Sequence, residues 1–131
     1  MPPEPLRKRV IRLFFSLAMV GIGLLHLVRP EGFVKIVPGF LPAPLFLVYL
    51  SGLFEIAGGL GLTLERTRRL AGLGLIALYV AVFPANINMA VHGIQPAQVH
   101  IPTAALWLRL PFQLLFIGVA WWLSRPARPE P

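Results

Sequence analysis

Two pairs of polar residues stand four apart inside otherwise apolar runs: Ser51 and Glu55 in YLSGLFEIAGG, and Arg109 and Gln113 in LRLPFQLL. On a helix that spacing puts both members of a pair on one side. A carboxylate at mid-membrane depth costs roughly 2.5–3.5 kcal/mol on insertion scales, so something else in the chain must offset it. Arg109 is the natural counter-ion, and Glu55 with Arg109 is expected to be a charged pair whose hydrogen bonds Gln113, Asn86, Ser51 and His26 complete. Such a set can hold a ligand or pass a proton. It can equally hold a bundle in one register with no chemistry at all. Asn86 and Asn88 are two apart and diverge on a regular helix, but Pro84 before them can kink the chain and free backbone carbonyls. His26 reads as a histidine bonded to a carbonyl or as a ligand contact. Haem is disfavoured, because His92 and His100 both lie in a loop and no apolar run holds two facing histidines. No spacing suggests a metal site or a nucleophile with its base.

The elements that position these residues follow from composition. Of 131 residues 56% are hydrophobic and 13% charged, about half the charged share of a soluble domain. The apolar residues come in long runs, which predict an all-α membrane protein: a bundle of four transmembrane helices over 10–28, 45–64, about 70–91 and 103–123. Between the first two, Pro30 and Glu31 start a short piece whose Phe33, Ile36, Val37 and Phe40 form one apolar side. It reads as a short interfacial helix lying on the bilayer. Residues 1–9 and 124–131 read as basic, proline-rich tails around a membrane domain at 10–123. No cleavable signal peptide is evident, since the first run ends in HLVRP without a small-residue cleavage site.

The net charge of +7 raises a nucleic-acid reading, which the placement of the charges excludes: they sit at the ends of apolar runs and form no exposed stripe. Nine of the twelve Lys and Arg fall on one side of the bilayer, at 7, 8, 9, 12, 66, 68, 69, 125 and 128, against Arg29 and Lys35 on the other. The positive-inside rule then places both termini in the cytoplasm. Trp107 and the Trp121–Trp122 pair suit the two head-group levels. At about 1.5 Å per residue, His26, Ser51, Glu55, Asn86, Asn88, Arg109 and Gln113 all fall in the outer half of the membrane. They are the candidate lining of a polar pocket open, or nearly open, to the outside. The absence of cysteine removes thiolate and iron–sulfur chemistry.

Four segments in this order and spacing, GLLHLVRPEGFVKIVPGFLP, SGLFEIAGG, VFPANINMA and RLPFQ, resemble the DoxX family of small bacterial four-span membrane proteins. The likeness covers about residues 10–123. It places family positions at His26, Glu55, Pro84, Asn86, Arg109, Pro111 and Gln113. It implies a four-helix bundle in the bacterial cytoplasmic (inner) membrane and a link to quinone-dependent redox complexes.

Three functions follow as expectations. In the first, the chain is not catalytic alone and its outer pocket binds a quinone or another small apolar ligand, as a membrane subunit of an oxidoreductase complex. In the second, it is a small proton-coupled transporter in which Glu55 titrates between two access states, acting as a homo-oligomer. In the third, it is a scaffold or assembly protein whose polar cluster serves only specificity. The partners expected are the lipid bilayer and either partner subunits or further copies of the chain, not nucleic acid.

Overall fold

A computed structural model describes residues 3–95 and 100–126, and among them it is helical with no strand. The elements are α1 (Leu6–Val28), α2 (Glu31–Val34), α3 (Pro44–Thr63), α4 (Arg68–His92) and α5 (Thr103–Ser124). All but α2 are long and apolar enough to cross a membrane. The chain is therefore a multi-pass membrane protein, a four-helix bundle with one short helix after its first span. In α4 and α5 only 17% of the most apolar window is buried inside the protein.

Each helix begins and ends for a local reason. Pro5 lies in the extended polyproline region and its carbonyl takes the N–H groups of Lys8 and Arg9. The basic triplet Arg7-Lys8-Arg9 is thus the first turn of α1 and not, as expected, part of a tail. The piece after Pro30 forms a single turn, closed before Pro38, Pro42 and Pro44. Pro44 opens α3, where its missing N–H costs nothing. Ala43 ahead of it is forced into the left-handed region (φ 48°), the one non-glycine residue with positive φ among those described. The far end of α3 is capped by its own turn: Thr67 Oγ1 donates to the Gly61 carbonyl (2.8 Å) and Arg68 Nε to that of Leu62 (2.9 Å). Gly93, at φ 62°, ends α4 and returns its N–H to Met89. The loop that follows is described only at its two ends, where the Gln95 carboxamide pairs with both backbone groups of Ile101. Residues 127–131 of the expected C-terminal tail lie outside the described residues.

The helices pack in the order α1 on α3, α3 on α4, α4 on α5. Glycines set the first contact. A Cβ on Gly52 would lie 2.7 Å from the Cβ of His26 and 2.8 Å from the Gly23 carbonyl, and one on Gly23 would lie 2.7 Å from the Gly52 carbonyl. The two backbones approach as closely as small residues permit.

α1 returns to α5 at one end only. There Arg12, 4% exposed, donates from Nε (3.2 Å) and Nη2 (3.0 Å) to the Leu123 carbonyl, and Lys8 Nζ donates to that of Arg125 (2.8 Å). Arg12 also grips Glu4 with both terminal nitrogens, one of them at 2.7 Å. It does not snorkel to the membrane surface as its position in the sequence would suggest. The cations of α1 thereby satisfy the last carbonyls of α5, where the helix dipole favours positive charge. Above this clamp lies a core of Phe15, Met19, Leu62, Leu75, Tyr79, Ala120 and Leu123, and Phe15 meets Phe116 edge to face at 6.2 Å. Beyond that contact α1 and α5 part. Ile22 on one and Phe112 on the other are 38% and 53% exposed.

Candidate functional site

The space between the parted helices is a cavity of about 670 Å³. All four spans and the segment after α2 line it. Its floor is Met19, Tyr79 and Phe116, with the Tyr79 hydroxyl turned onto the Met19 sulfur. Phe33, Ile36, Val37 and Leu41 cover the opposite end. Most of the lining is apolar, with His26, Ser51, Glu55, Tyr79, Asn86, Arg109 and Gln113 as the polar points.

Six of the seven residues anticipated from the sequence therefore share one cavity. The seventh, Asn88, does not line it. Its Nδ2 donates to the Ile36 carbonyl (3.0 Å) and fastens the segment after α2 to α4, the divergence that a spacing of two dictates.

The polar lining divides into two walls. On the α4/α5 side the Gln113 carboxamide, 4% exposed, accepts from Asn86 Nδ2 and donates to the Tyr79 carbonyl (2.6 Å). Tyr79 lies two turns before Asn86 on the same helix. Arg109 reaches the rim, where Nη1 contacts the Met89 sulfur at 3.5 Å.

On the α1/α3 side Glu55 is 6% exposed. The expected ion pair with Arg109 is not formed; the basic group beside Glu55 is His26, its Nδ1 3.7 Å from Oε2. The reason lies in the packing order: α3 meets α1 through Gly23 and Gly52, which carries His26 to Glu55, while Arg109 is held on α5 across the cavity. His26 Nδ1 also lies 2.7 Å from the Ile22 carbonyl. A carbonyl can only accept, so in the neutral ring Nδ1 carries the proton and Nε2 the lone pair. The ring is stacked flat on Phe33, centroids 3.7 Å apart at 14°. Ser51 turns its hydroxyl back to the Leu47 carbonyl (2.8 Å).

Two members were absent from the sequence reading. Tyr79 had a readable signal, a phenol deep in an apolar run whose hydroxyl must find a partner. Phe33 reads from the sequence as part of the apolar side of a helix lying on the bilayer. That it roofs a cavity by stacking on His26 depends on how the chain turns at Arg29–Pro30, which no periodicity reports. Among the described residues no cluster of His, Asp or Glu could hold a metal ion.

Fold and site together define a small multi-pass membrane protein with a mostly apolar, intramembrane cavity and one buried acid in its wall. Residues 15–124 match the model of a family described as a domain of unknown function, DUF8561, and the chain belongs to that family. No curated protein and no solved structure matches it.

Proposed function

We propose that this protein is a DoxX-type ligand-binding protein of the bacterial cytoplasmic membrane. Its cavity takes a quinone or another small, lipid-soluble molecule, and it serves as the membrane subunit of an oxidoreductase complex without catalysing a reaction alone. The observation that carries the reading is a 670 Å³ space, apolar over most of its lining, in which the polar points converge from four helices. Volume and balance both suit a ring-bearing ligand, for which a few fixed polar groups set orientation and apolar walls supply burial. Both termini lie in the cytoplasm on this reading, and the mouth near His26 and Arg109 faces the opposite leaflet.

The test is recovery of ligand from the protein itself. Purified in mild detergent and extracted with organic solvent, the wild-type protein is expected to release a lipid-soluble ring compound in stoichiometric yield. Glu55→Gln should lower that yield severalfold while helicity by circular dichroism is unchanged. Equal recovery from both, or none from either, would end the proposal.

One observation favours a second reading, that of a proton-coupled carrier: the basic group beside the acid in the cavity is a titratable histidine and not a permanent cation. In proteoliposomes a carrier would show uptake driven by a pH gradient and abolished by Glu55→Gln.

A further inference from the structure

Resting on that reading of the cavity, its hydrogen-bond inventory narrows the ligand further. The hydroxyl donors in the lining are spent inside the protein: Ser51 on Leu47, Tyr79 on Met19. Asn86 donates into the bundle to the Gln113 carboxamide, and Gln113 to the Tyr79 carbonyl. On the α1/α3 wall what remains without a hydrogen-bond partner among the described residues is of the opposite kind, while across the cavity Arg109 keeps N–H groups beyond the one on Met89. No N–H or O–H reaches the Glu55 carboxyl, and His26, its Nδ1 proton committed to Ile22, keeps Nε2 as an acceptor. A buried acceptor left empty loses the solvation it had in water, and a ligand that supplies a donor restores it.

We infer that the cavity selects a neutral apolar molecule that binds as a hydrogen-bond donor, presenting an O–H to the Glu55–His26 wall. A donor-bearing cation is the poorer fit, because Arg109 lines the same cavity and would repel it. At that wall a ring carrying only carbonyl or ether oxygens sets acceptor against acceptor and is left with the Arg109 guanidinium across the cavity as its donor. Of a redox pair of ring compounds, the hydroxyl-bearing reduced form is the one held.

The probes are a short-chain alkyl 1,4-hydroquinone, the corresponding 1,4-quinone and the di-O-methyl ether of the hydroquinone. Binding is measured by retention on protein immobilised in lipid nanodiscs, with oxygen excluded. The hydroquinone is expected to bind about tenfold or more tighter than either of the others, equivalent to about 1.4 kcal/mol. In Glu55→Gln, which places an N–H donor at the wall, the preference should shrink or pass to the quinone. His26→Ala should narrow it while leaving quinone binding in place. Quinone or ether bound as tightly as the hydroquinone would overturn the inference but would leave the binding function standing. Failure of all three to bind would remove both.

Discussion

Ala43 shows how a single residue marks where the chain is under constraint. Three prolines in seven residues carry the chain from α2 to the head of α3, and the turn closes only with Ala43 left-handed. An L-residue other than glycine bears about 1–2 kcal/mol in that region. Ala43 is exposed, with no packing to lose. Ala43→Gly is therefore expected to raise stability by up to about 1 kcal/mol, read as a shift in the midpoint of unfolding by SDS in mixed micelles. Gly52 is the opposite case. A methyl there would meet His26 and the Gly23 carbonyl. Gly52→Ala should cost about 1–3 kcal/mol in the same assay, and by pushing His26 from Glu55 it should weaken ligand retention as well. Neither effect was legible in the sequence. Proline density announces a turn but not its handedness, and SGLFEIAGG shows small residues without showing which of them a second backbone crosses.

At the scale of elements, the ends of α1 and α5 are locked by the Arg12–Leu123 and Lys8–Arg125 contacts. Arg12→Met keeps the apolar stem but leaves the Leu123 carbonyl without its donors. The expected loss is about 1–3 kcal/mol, and Phe15 should draw away from Phe116. A spin-label pair on α1 and α5 would report the separation. The acid in this clamp adds a pH dependence of definite sign. The Arg12 guanidinium, hydrogen-bonded to Glu4, holds that carboxyl below the usual carboxylate range against the opposing effect of its burial. Its contribution is therefore complete above the unfolded value near pH 4.3 and is lost as pH falls through the lower folded value. The protection factors for hydrogen exchange at residues 8 and 9 should stay high at neutral pH and fall only below about pH 4. In Glu4→Gln that transition should vanish. The spans themselves were plain from run length, each to within a few residues. The clamp was not, because a basic triplet before an apolar run looks the same whether its charges face lipid head groups or another helix's carbonyls.

For the whole molecule, orientation is testable without interference because the chain has no cysteine. A single cysteine at Arg66 should be labelled by a membrane-impermeant maleimide only from the cytoplasmic face, and one at Gly93 only from the opposite face. The reverse pattern would invert the assignment of the cavity mouth. The sequence already held the grouping of polar residues at one level, and six of seven share the cavity. It could not say who pairs with whom. Depth is a property of each helix alone, whereas the choice of His26 over Arg109 as neighbour to Glu55 depends on which helices are adjacent.

That adjacency has a further outcome. Because α1 and α5 join only at the clamp and part beyond Phe15 and Phe116, the cavity has a side door between Ile22 and Phe112 at the depth of the acyl chains. If the cavity binds a lipid-soluble guest as proposed, one already dissolved in the leaflet enters sideways without passing through water. On the proposed reading occupancy then follows its mole fraction in the membrane: well below saturation, at a fixed amount of guest, doubling the lipid halves the filling of the site, while diluting the aqueous phase changes nothing.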